Sequence, residues 1–287
     1  MTIRNPLEWG ADSLNLANKA VEATSHSVGH TREHLDAPMP TIRKIGIADL
    51  RDALALGLND LAACRTDVFF IAAVYPVVGL FLARLLFGYD MLPLLFPIAS
   101  GFALLGPLAA VGLYELSRRR EQGEEVGWLE ALQIVRSPSF GAIVVLGLFL
   151  LVIFLVWLAT AQAIYNLTLG PDLPESLSGF AHDVMETGLG HTMIFVGIGI
   201  GFLYALLVLS ISAVSFPLLL DRDVGLVVAI ATSIRAMLDN PVPMAAWGLI
   251  VAGGLLLGSL PLFLGLIFVM PVLGHATWHL YRKVVAR

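Results

Sequence analysis

Residues 106–123 read Gly-Pro-Leu-Ala-Ala-Val-Gly-Leu-Tyr-Glu-Leu-Ser-Arg-Arg-Arg-Glu-Gln-Gly. An apolar run ends there in three consecutive arginines, Arg118, Arg119 and Arg120. Basic residues abutting an apolar segment mark the side of a membrane across which loops are not readily moved. The triplet fixes the orientation of one span, and the others follow by alternation. Composition agrees with a membrane chain: of 287 residues 57% are apolar and 14% charged, where soluble domains carry about 25% charge. The apolar residues also fall in long runs. The net charge of −5 says less than the positions of Lys and Arg. Cys64 is the only cysteine, which excludes an intramolecular disulfide and CxxC chemistry. The first 45 residues lack a charged start followed by an apolar core, so no cleavable signal peptide is expected.

Outward from the triplet, residues 1–44 form a polar, partly disordered tail, and residues 45–287 a membrane domain. Spans are expected at about 68–87, 91–116, 140–165, 191–220, 242–259 and 262–280. The apolar stretch Val242–Leu280 is too long for one span. As a single helix of 39 residues it would measure about 58 Å against a hydrocarbon core of about 30 Å. A turn near Ser259-Leu260-Pro261 divides it. Six spans put both termini on the cytoplasmic side, with 16 of the 17 Lys and Arg residues; only Arg84 lies near the opposite face. Amphipathic helices that would lie in the interface are expected at about 45–64, 126–136 and 224–239. In the first, Ile47, Leu50, Leu54, Leu58 and Leu61 make the apolar side, and Asp49, Asp52, Asn59 and Asp60 fall elsewhere.

Interfacial helix, polar turn, span, span: this order occurs three times. The fold class is therefore all-α integral membrane, six transmembrane helices as three parallel pseudo-repeats. Each second span carries a late proline, Pro107, Pro217 or Pro271. Pro107 and Pro271 are both followed by an aromatic seven residues on, Leu nine on and Arg eleven on. Tyr114 and Trp278 are those aromatics, placed as interfacial anchors beside Arg118, Arg119 and Arg120. Gly197 and Gly201, and Gly254 and Gly258, are four apart and predict close helix contacts, within the chain or in a homo-oligomer.

The late prolines, the segment Phe216-Pro217-Leu218-Leu219-Leu220-Asp221-Arg222 and the Ser233…Asn240-Pro241 approach to the fifth span resemble a family of uncharacterised bacterial inner-membrane proteins, domain of unknown function 2189. The resemblance covers residues 45–285. Some members are labelled cytochrome c oxidase subunits, which implies an association with respiration. It also implies the bacterial cytoplasmic membrane as the location.

Chemistry is sparse. His275 and His279 share one face of the last span, but no other span offers a histidine opposite them, as a bis-histidine haem requires. Register-holding polar residues are the plainer account. His26, His30 and His34 are spaced four apart and would share a helical face, either as metal ligands or as a solvated row. Glu115 lies within a turn of Arg118 and Arg119, which suggests an ion pair at the span end. The connection 166–190, holding His182, Asp183 and Glu186, reads as an acidic solvated loop. No catalytic residue, cofactor or nucleic-acid partner is assigned. The expected function is a non-catalytic accessory, assembly or scaffold protein, with lipid and a membrane or cytoplasmic protein as partners. A small-solute transporter or channel is the alternative, through the proline-broken second span (Pro93, Pro97, Pro107). A haem- or metal-binding membrane protein is the second.

Overall fold

A computed structural model describes residues 39–63, 77, 79–81, 84, 92–124, 127, 134–135, 137–171, 174 and 176–287. His26, His30 and His34, nearly all of the span at 68–87 and most of the interfacial helix at 126–136 lie outside the described residues. Those described are helical, apart from turns and a single antiparallel bridge, Ile42 to Val285. Among the described residues three helical runs are long and apolar enough to cross a membrane: Phe140–Thr168, Gly188–Asp221 and Pro241–Ser259.

The chain enters beside its own C-terminus. Arg43 N donates to Val284 O at 2.7 Å, and Ala286 N to Thr41 O at 3.0 Å. Residues 41–44, assigned by composition to the tail, are thus docked. Helix α1 (Ile47–Ala63) follows. Asp49, in its first turn, accepts from Gly46 N at 2.8 Å, reaching back to an amide the helix leaves unpaired. The expected second span is a chain of short pieces: a 3₁₀ turn at Leu92–Leu94, α2 (Leu95–Leu104), α3 (Gly106–Ala109) and α4 (Val111–Glu121). Pro97 and Pro107 each stand in the first turn of a piece, where the missing amide donor would be unpaired anyway. Trp157 Nε1 and Ser100 Oγ donate to Pro97 O at 3.1 Å each and satisfy a buried carbonyl.

Helix α5 (Phe140–Thr168) is the longest. Residues 166–190 are not a loop throughout: α6 (Leu177–Glu186) forms there, capped by Ser176 Oγ accepting from Gly179 N at 3.1 Å. Helix α7 (Gly188–Ser212) starts at once, capped by Thr187, and α6 folds back on it. A turn at 213–214 separates α7 from α8 (Ser215–Asp221), which carries Pro217. The freed Val214 amide donates to Ser233 Oγ at 3.2 Å on α9 (Leu226–Asp239). Asn240 then binds three segments together: its side chain accepts from Ile45 N and donates to Arg43 O and Ala236 O. Helix α10 (Pro241–Ser259), a turn at 260–265 and α11 (Leu266–Val284) complete the chain. The dividing turn falls where the length of Val242–Leu280 demanded one. Pro271 sits inside α11 without a break, unlike Pro107 and Pro217.

Helix α1 lies along α11 with an unexpected face inward. Leu50, Ala53, Gly57 and Asp60 are buried, whereas Ile47 and Leu58 are exposed. Small residues let two backbones approach, so they take the helix contact and large apolar residues are left outward. The paired glycines divide in the same way. A Cβ on Gly201 would lie 3.2 Å from the Trp157 ring, and one on Gly254 3.3 Å from Val269. On Gly258 it would come within 2.8 Å of Leu266. Gly197 has nothing within 4 Å and makes no close contact within the described chain. Gly201→Leu should therefore cost about 1–3 kcal/mol through overpacking. Melting in mild detergent would show it, and a midpoint equal to that of the unaltered chain would remove the α5–α7 contact from the account.

Candidate functional site

Polar chemistry gathers where α1, α4 and α11 meet. Each contributes from its buried face: Asp60 from α1, Ser117 and Arg120 from α4, His275 and His279 from α11. Asp60 is 6% exposed. Its Oδ2 accepts from Ser117 Oγ at 2.6 Å and His279 Nε2 at 2.8 Å, and its Oδ1 from Arg120 Nη1 at 2.9 Å. Ser117 Oγ also lies 2.8 Å from His275 Nδ1.

The proton positions follow from counting. An ionised carboxylate only accepts, so Ser117 must spend its one proton on Asp60. His275 Nδ1 must then donate to the Ser117 oxygen. That leaves His275 Nε2 as a bare lone pair, without a hydrogen-bond partner, in a residue 0% exposed. His275–Ser117–Asp60–His279 is thus a continuous chain from a sealed imidazole to a partly exposed one. It is not a nucleophile site, because the serine donates to the carboxylate rather than to the imidazole.

Burial pushes the Asp60 carboxyl upward, but the hydrogen bonds from His279 and Ser117 outweigh this and hold it below the ordinary carboxylate value. With the folded value depressed, the unfolded chain takes up a proton first as pH falls. Asp60's stabilisation is whole above the unfolded value of 3.8 and is lost as pH drops through the folded one. Asp60→Asn should abolish that part of the acid loss. Equal acid-induced shifts in melting midpoint for the two proteins would refute this.

The surrounding rim is paired internally. Arg118 and Arg119 close on Glu115, at 2.8 and 2.6 Å, as the end-of-span pair expected. Arg282 bridges Glu121 and Asp221 at 2.9 Å each, and Lys283 bridges Asp49 and Asp52 at 3.0 Å each. Tyr281 Oη donates to Asp221 at 2.6 Å. A cavity of about 390 Å³ at this end is lined by Arg118, Arg119 and Arg222 but equally by Glu115, Asp221 and Asp223. Two expectations are corrected here. Tyr114 and Trp278 are 2% and 0% exposed, so they are core residues rather than interfacial anchors. Trp278 Nε1 donates to Glu121 at 3.1 Å, and Arg282 lies 5.4 Å from its ring centroid. Arg118, Arg119 and Arg120 likewise face carboxylates of the chain, Arg120 pairing with Asp60, rather than forming an open basic edge.

As for haem, His279 already commits Nε2 to Asp60, and His275 offers its free nitrogen into packed surroundings beside Leu113. Among the described residues no group of three or more His, Cys, Asp or Glu side chains is arranged to hold a metal ion.

A second, apolar cavity of about 290 Å³ lies at the other end, between α5, α6, α7 and the Pro93–Pro97 segment. It runs from Phe180 and Val184 on α6 down to Trp157 on α5 and Gly197 on α7. Sequence reasoning missed Asp60 and Ser117 as site residues. Both are ordinary polar residues whose spacing gives no pattern, since the partners are 57 or more positions apart.

No curated protein matches the chain, and no solved structure does. Residues 95–221, which run from α2 to the end of α8, match the model of a family described as predicted integral membrane protein (DUF2189).

Proposed function

We propose that this protein is a non-catalytic accessory or scaffold protein of the bacterial cytoplasmic membrane, crossing it six times as three like-oriented hairpins with both termini cytoplasmic. The helix contacts support the arrangement. Interfacial helix α9 lies on α7 and α8, the second span of the preceding unit. Interfacial helix α1 lies on α11, the second span of the last unit. The two described belt helices thus each clasp the preceding unit in cyclic order, α1 clasping the last. The legs α4, α8 and α11 meet one another at the same end. Reporters placed after Lys283 and near Pro174 should fall in opposite compartments; the same compartment for both would end the six-span arrangement.

One observation carries the functional part: apart from His275 Nε2, the polar groups where α1, α4 and α11 meet are used on one another. Such a face is a stiff platform, because breaking a pair to Asp60 strands a buried charge. Affinity recovery of the tagged chain from native membranes should yield a reproducible membrane partner. A respiratory complex among the recovered proteins would meet the narrower association implied by the resemblance. Recovery of the chain alone, in repeated preparations, would overturn the scaffold role. The transporter alternative draws on the apolar cavity, which reaches Trp157 near the middle of α5. It requires flux of an apolar solute into vesicles holding the purified chain.

A further inference from the structure

The apolar cavity is built rather than incidental. Its floor is Trp157, which is 2% exposed and held by its hydrogen bond to Pro97 O. Its lid is α6, fixed by the Ser176 and Thr187 caps and by Phe180 edge-on to Tyr165, ring centroids 6.3 Å apart. Gly190 lets α6 and α7 cross closely, since a Cβ there would lie 2.2 Å from Asp183 O. Gly197 leaves open space in the wall where any side chain would intrude.

We infer that this cavity holds one acyl chain of a bilayer phospholipid, drawn from the leaflet on the α6 side. Three observations fix the occupant. Phe96 and Ile198 both line the cavity and are exposed, so its mouth opens on the apolar outer surface of the helices, the surface that lipid covers in a membrane chain. The lining is apolar, and an apolar cavity offers water no partners and takes apolar ligands instead. The dimensions suit a single chain. From Trp157 to Tyr165 is about 12 Å along the helix, at 1.5 Å per residue. The volume of about 290 Å³ admits roughly ten methylene-sized groups, if each takes about 30 Å³ as a water does.

The full chain is reconstituted into phosphatidylethanolamine–phosphatidylglycerol vesicles whose acyl chains carry bromine at mid-chain, a contact quencher of indole fluorescence. The Trp157 signal is the difference between the unaltered chain and Trp157→Phe. Trp157 is shielded from the outer surface, so bromine reaches it only through the cavity. Quenching of that signal is expected, together with its loss in Gly197→Leu, which fills the wall. Ala161→Phe fills the opposite wall and serves if the first variant does not fold. Native mass spectrometry should show a retained phospholipid that the filled variants release. An unquenched Trp157, quenching that persists in a folded filled variant, or recovery of a prenyl quinone in place of phospholipid would each overturn the inference.

Discussion

Asp60→Ala should destabilise the folded chain by about 3–5 kcal/mol, the usual consequence of removing one partner from a buried charged group. Three donors converge on this carboxylate, from Ser117, His279 and Arg120. Deleting it leaves all three facing a void. Their shares are unequal. The Arg120 side chain is 37% exposed and keeps a second acceptor, Asn59 O at 2.7 Å, so solvent screens much of its loss. His279 and Ser117 lie deeper. Ser117→Ala should cost less, about 1.5–3 kcal/mol, the scale of one hydrogen bond to a charged group. It would also strip His275 Nδ1 of its acceptor, leaving both ring nitrogens unmatched. Melting midpoints in detergent at neutral pH order the two variants. Asp60→Ala melting at the midpoint of the unaltered chain would show that the cluster contributes nothing to holding α1 on the bundle.

Sequence periodicity located α5, α7 and α10 because lipid solvates them on most sides, and a long apolar run is the direct record of that environment. It located the turn after Ser259 because length alone forbids a single helix there. It failed where a helix serves two neighbours at once. Helix α1 is amphipathic by pattern, but the pattern cannot say which apolar side meets protein and which meets lipid. Backbone proximity decided that in favour of Ala53 and Gly57. Asp60 went inward with them, since it lies three residues beyond Gly57 on the same face. Tyr114 and Trp278 misled for a related reason. An aromatic before a basic residue at a span end has the composition of an anchor, yet the ends of α4 and α11 pack on one another. Helix α6 was legible and overlooked: Ser176 is a cap residue, and Phe180 and Val184, four apart, make its inward face.

Gly57→Ala is the smallest change that tests the α1–α11 contact, and it should be harmful despite improving helix propensity. In a helix interior the exchange gains about 0.5–1 kcal/mol. Here the new methyl would lie 2.7 Å from Ala276 N and 2.9 Å from its Cα. Both are backbone atoms, so no rotamer change relieves them, and α1 must shift bodily. Overpacking of this kind costs about 1–3 kcal/mol, which exceeds the propensity gain over most of that range. The shift also carries Asp60, one turn on, away from Ser117 and His279. The effects of Gly57→Ala and Asp60→Ala should therefore not add, because both remove the same cluster. Gly253→Ala in α10 is the control: nothing lies within 4 Å of its Cβ position, so propensity alone should raise its melting midpoint. Limited proteolysis reads the contact directly. Cleavage within Ile47–Ala63 should accelerate in Gly57→Ala while Phe140–Thr168 stays protected. If α1 remains as resistant as in the unaltered chain, its close crossing with α11 is not what holds the belt to the bundle.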